Sequence, residues 1–119
     1  MSEHDEQVAL FQWLAIAAAE YPPLAYAFAV PNGTRTTPRV ASKMKAEGVR
    51  KGVPDIFIPT ARGGYHGLFV EMKTERGRLS PEQKDFISAM NLSGYKAVMC
   101  RGWEDAAEQI TTYLNQETK

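Results

Sequence analysis

The chain has 119 residues, and its 14 Lys+Arg balance 14 Asp+Glu, so the formal net charge is zero. A hydrophobic fraction of 44% beside a charged fraction of 24% is that of an ordinary folded domain, which argues against disorder, and the length suits a single domain over residues 1–119. One cysteine, Cys100, excludes an internal disulfide framework, no apolar run nears the roughly 18–20 residues of a membrane span, and Met1 to Glu6 are acidic where a secretory leader is basic, so a cytoplasmic protein is expected.

Residues 4–19 read as a helix, with Leu10, Trp13, Leu14 and Ala17 on one stripe, ended by Pro22 and Pro23. The short aromatic run at 25–30, closed by Asn32-Gly33, predicts a strand. Thr37-Pro38 has the form of an N-cap followed by proline at the first helical position. That helix should run to Glu47 and stop at Gly48, with Arg39 and Lys43 sharing a face. Gly52-Val53-Pro54 precedes a strand at Asp55–Ile58, Gly63-Gly64 makes a turn, and Leu68–Lys73 alternates as the next strand of a hairpin. A polar loop covers Thr74–Leu79, and Ser80-Pro81-Glu82-Gln83 opens a helix that Gly94 ends. Tyr95–Cys100 reads as a strand. The final helix, about 103–115, places Trp103, Ala106, Ala107, Ile110, Tyr113 and Leu114 on one face, and the last residues should fray. The order αβαββαβα predicts an α/β fold, a single mixed sheet flanked by helices.

The zero net charge is not uniform. Residues 1–20 sum to −4, 33–78 to +6, 79–102 to +1 and 103–119 to −3. A basic middle between acidic ends is compatible with a solvated face or with a polyanionic partner. Within that middle stand two carboxylates and a lysine. Glu71 and Lys73, two apart on a strand, project from one face, and hairpin pairing can bring Asp55 close to Glu71. Converging carboxylates repel unless a cation lies between them, and Mg²⁺ takes one or two carboxylates plus waters and phosphate. Taken alone, the same residues also fit a surface ion pair and a turn aspartate.

Gly52-Val53-Pro54-Asp55, a short apolar strand, a hairpin and then Glu71-Met72-Lys73 resemble the PD-(D/E)xK nucleases, and more closely the VRR-NUC family of structure-selective nucleases. Further matching segments are His4-Asp5-Glu6-Gln7 leading into Leu10-Phe11-Gln12-Trp13-Leu14, Val30-Pro31-Asn32-Gly33, the basic run before Gly52, Gly77-Arg78-Leu79-Ser80-Pro81-Glu82-Gln83, and Gly94-Tyr95. The likeness spans roughly residues 5–113.

The resemblance implies a restriction-endonuclease-like core. It implies Asp55 and Glu71 as ligands of Mg²⁺ (or Mn²⁺), the Met72 carbonyl as a further ligand, and Lys73 as the group that activates water. Glu6 matches the family's N-terminal helix acid, which supports the metal's ligands or adds one more, although an acid in a first helical turn also suits the helix dipole. Gln83 matches the glutamine that follows the triplet, while its spacing from Ser80 is that of a capping box. Asn32, Arg35, Arg39, Lys43, Lys45, Arg50, Lys51, Arg76 and Arg78 would contact phosphates, which gives affinity without sequence reading. The implied activity is a metal-dependent endonuclease on branched DNA such as four-way junctions, acting as a homodimer because two-strand cutting needs two sites. A flap, fork or restriction-type nuclease and a non-catalytic nucleic-acid-binding module are the alternatives. No nucleotide cofactor and no membrane are expected. Cys100 reads as a buried small hydrophobe, and His4 and His66 lack partners for zinc.

Overall fold

The computed structural model describes residues 1–31 and 36–119. Ser2 opens α1 (Glu3–Ala17): its hydroxyl accepts from the Asp5 amide and the Asp5 carboxylate accepts from the Ser2 amide, each at 3.1 Å. Two amides that a helix start leaves bare are thereby satisfied. Pro22 and Pro23, with fixed φ and no amide donor, start a 3₁₀ turn (Pro22–Tyr26). The strand expected at 25–30 is therefore cut to β1 (Phe28–Ala29), although the Val30 amide still donates to the Asp55 carbonyl at 2.7 Å. The expected turn at Asn32-Gly33 lies outside the described residues.

α2 (Pro38–Ala46) begins as its spacing predicts, with the Thr37 hydroxyl accepting from the Val40 amide at 3.3 Å. It buries no residue and, among the described residues, packs on no other helix or strand. β2 (Ile56–Ile58) starts one residue later than expected, leaving Asp55 just before its first residue. Gly63 and Gly64 turn the chain at φ 57° and 86°, a conformation that glycine adopts without strain. The chain terminus, expected to fray, is tied to this turn: the Gly63 and Gly64 amides donate to the Glu117 and Lys119 carbonyls, each at 2.7 Å. β3 (Leu68–Lys73), α3 (Pro81–Leu92), β4 (Lys96–Arg101) and α4 (Trp103–Leu114) complete the chain.

The sheet order is β1-β2-β3-β4. The first two pairings are antiparallel and β3–β4 is parallel, joined through α3. This is the single mixed sheet with flanking helices that the sequence predicts. β3 alternates across it. Leu68, Val70 and Met72 enter a core with Ile56, Ile58 and Cys100, closed by Leu10 and Leu14 of α1 and Ala106, Ile110 and Tyr113 of α4. Full burial of each large apolar side chain contributes about 1.5–3 kcal/mol. Phe69, Glu71 and Lys73 face the other way. There Phe69 packs at 4.4 Å from Phe57 and 5.5 Å from Phe86 of α3, between ring centroids. Burial pushes the Cys100 thiol up to about 12, which fits an inert core residue. No helix among the described residues is long and apolar enough to cross a membrane.

Candidate active site

The hairpin brings the two acids together. Ile56 pairs with Val70, so the next residue outward, Asp55, comes opposite Glu71. Asp55 stands just before β2 begins, where β3 continues alongside, and its Oδ2 accepts from the Met72 amide at 2.7 Å. The amide and carbonyl of one strand residue project to the same side. The Met72 carbonyl therefore lies on the Asp55 side, beyond the reach of β2. Two carboxylates and a main-chain oxygen converge at this strand end.

Glu71 is 1% exposed and Lys73 9%. Lys73 Nζ lies 3.7 Å from Glu71 Oε2, the only ion pair among the described residues. Gln83 Nε2 donates to the same Glu71 oxygen at 3.4 Å. Its own Oε1 accepts from the Ser80 amide at 2.8 Å, and the Ser80 hydroxyl accepts from the Gln83 amide at 3.1 Å. The capping box and the contact with Glu71 are thus one arrangement, because capping fixes the glutamine that meets the acid.

Glu71 Oε1 is buried without a hydrogen-bond partner. Burial first, and then the adjoining Asp55 charge and hydrogen bond, push the Glu71 carboxyl up to about 8, with Lys73 opposing. A buried acid with a bare oxygen beside a second acid and a carbonyl suits a hard divalent cation. Among the described residues no three His, Cys, Asp or Glu side chains gather around one point. The donor set here is two carboxylates plus a carbonyl, which is within what Mg²⁺ takes when waters complete its shell.

Glu6 is engaged at the start of α4. α4 begins on Gly102, which has no side chain to cap it, and Glu6 Oε2 accepts from the Trp103 amide at 3.3 Å. The acid of α1 whose charge acts on Glu71 is Glu3, which adds to the rise of that carboxyl. Sequence reasoning passed over Glu3, and nothing in its spacing singled it out.

Arg39, Lys43, Lys45, Arg50, Lys51, Arg76 and Arg78 are all exposed. Asn32 and Arg35 lie outside the described residues. Lys45, Arg50 and Lys51 line a cleft with Ala41, Met44 and Val49 at the end of α2. The basic run reaches the site at Gly52, where a Cβ would stand 2.6 Å from the Glu82 carbonyl oxygen, so the backbone abuts the first turn of α3 beside Gln83. Trp13 and Trp103 are partly buried against the core.

Residues 7–104 match the VRR-NUC domain family. Among solved structures the chain is similar to a VRR_NUC domain protein, with a TM-score of 0.83 and 29% identity over 98% of this chain and 91% of that one. No functionally curated protein matches the chain.

Proposed function

The chain belongs to the VRR-NUC domain family, a family of nucleases, and we propose that it is a divalent-metal-dependent endodeoxyribonuclease acting on branched DNA, with Asp55, Glu71, the Met72 carbonyl and Lys73 as its site. One observation carries the reading: Asp55 and Glu71 converge at the open end of β2 and β3 with a buried, unpartnered Glu71 oxygen and Lys73 alongside. Asp55, Glu71 and the Met72 carbonyl would hold Mg²⁺ or Mn²⁺. When bound, the ion supplies positive charge against the phosphate oxygens.

The remaining chemistry falls to the chain's own residues. Asp55 is held in place by the Met72 amide, and Glu71 is oriented by Gln83. Lys73 hydrogen-bonds the attacking water, orients it in line with the leaving oxygen and offsets charge on the phosphate. The water oxygen bonds to phosphorus as the bond from phosphorus to the 3′ oxygen breaks; the attacking water loses one proton to solvent and the leaving oxygen takes one up, giving a 5′-phosphate and a 3′-hydroxyl. Arg39, Lys43, Lys45, Arg50, Lys51, Arg76 and Arg78 supply phosphate contacts without base reading. One chain carries one such site, so symmetric cutting of two strands is the work of a two-fold homodimer.

The test is cleavage of four-way junction, fork, flap and linear duplex DNA with Mg²⁺ or Mn²⁺ and in EDTA, with end analysis of the products. Junction cutting that requires metal is expected. Preference for flaps would move the substrate assignment, and no cutting of any substrate at protein excess would leave only a binding module.

A further inference from the structure

Arg101 is the last residue of β4 and stands beside Lys73 in the parallel register. Its Nη1 faces three carbonyl oxygens, those of Thr74 at 2.9 Å, Glu75 at 2.9 Å and Gly77 at 2.8 Å, and its two hydrogens are shared among them. All three belong to the turn by which the chain leaves β3 directly after Lys73. The base of this clasp is itself held. The Arg101 amide donates to the Asp105 carboxylate at 2.9 Å, and the Gly102 amide donates to the Lys73 carbonyl at 3.1 Å.

On its inner side the turn closes on the lysine. A Cβ at Gly77 would stand 3.3 Å from Lys73 Cδ and 3.4 Å from Lys73 Cβ, so the glycine backbone lies against the lysine stem. A free lysine side chain samples many rotamers, and one packed along its stem does not. The shape of the turn that does this packing depends on one guanidinium bridging three acceptors. Charge-assisted bonds of that kind are stronger than neutral ones.

We propose that Arg101 is a positioning residue for Lys73: by clasping the Thr74–Gly77 turn it packs Gly77 on the lysine stem and keeps the ammonium directed at the Glu71 carboxylate. The role rests on the nuclease reading of the site. A purely structural staple would lower stability and leave turnover alone. A direct phosphate ligand would raise KM. A positioning residue lowers kcat.

The experiment compares the wild-type protein with Arg101→Ala and Gly77→Ala on whichever DNA the wild type cuts, alongside thermal midpoints and trypsin digestion after Arg76 and Arg78. For Arg101→Ala, kcat falls about 10- to 100-fold, as a misplaced reacting group does. KM stays within about twofold, which marks loss of a transition-state interaction rather than of binding. Trypsin cuts the freed turn faster. Gly77→Ala retains the clasp and loses kcat by a smaller factor, in the same direction. It also decides the matter if Arg101→Ala does not fold. Unchanged kcat in either folded variant, or a rise in KM alone, overturns the proposal. If the wild type cuts nothing, the nuclease reading and the catalytic consequence fall together, while the trypsin comparison separately decides whether Arg101 holds the turn.

Discussion

At Glu71 one face of β3 is buried as deeply as the other, and the two do opposite things. On one face Leu68, Val70 and Met72 are at most 1% exposed, and they pack in a cluster of apolar side chains from the sheet, α1 and α4. On the other, Glu71 is as deeply buried, yet one of its oxygens has no partner and its closest charged neighbours are another acid and a lysine. Burial stabilises the first face because nothing polar is lost from water. It works against the second, because a carboxylate is removed from water without full compensation. Placed back to back, the stable face pays for the strained one. A site of this kind holds its acids in position before any cation arrives, since the strand that carries them is anchored from behind.

Substitutions on the two faces should therefore separate activity from stability. Lys73→Ala is expected to lower cleavage about 10²- to 10³-fold, the range lost when a donor that stabilises developing charge is removed, in a chain that still folds. Retained cleavage would break the site assignment. Leu68→Ala should do the reverse, costing about 2–5 kcal/mol in denaturant unfolding while the folded fraction keeps its turnover.

Glu71→Gln should abolish cleavage and yet stabilise the metal-free protein at pH 8, by about 1–3 kcal/mol if the bare buried oxygen is the cause. The sign follows from the raised carboxyl. The folded state holds this proton more tightly than the unfolded chain, so wild-type stability is fullest below pH 4.5 and is lost as pH rises toward about 8. Thermal melts across that window should slope downward for the wild type and be flatter for Glu71→Gln, and divalent ions should raise only the wild-type midpoint. Equal slopes would show that the acid is not strained. The smallest effect belongs to α2. Arg39→Ala with Lys43→Ala should weaken DNA binding evenly across substrates and reduce the salt slope of log K by about 0.9 per cation removed, without shifting the midpoint.

Local chemistry made much of this architecture legible in the chain. Thr37-Pro38 and Ser80-Pro81 start helices where their caps demand, Gly48 and Gly94 end them at positive φ, and the alternation of Leu68–Lys73 already put Glu71 and Lys73 on a common face. Each of these depends on neighbours within a few residues. The shortened β1 departs from expectation for a similar local reason, since two prolines favour a 3₁₀ turn over strand pairing.

What only the tertiary structure decided depends on partners far along the chain. Glu6 and Glu3 are equivalent as first-turn acids of α1. Docking of α1 against α4 turns Glu6 to the uncapped start of α4, 97 residues away, while Glu3 adds only the smallest of the charges that raise the Glu71 carboxyl. Arg101 reads as one more surface cation until the parallel pairing of β3 and β4 sets it next to the turn after Lys73. Residue type and spacing determined which groups could do chemistry. Long-range packing determined which of them face one another, because side-chain direction at a strand end or helix start is set by whatever element arrives there.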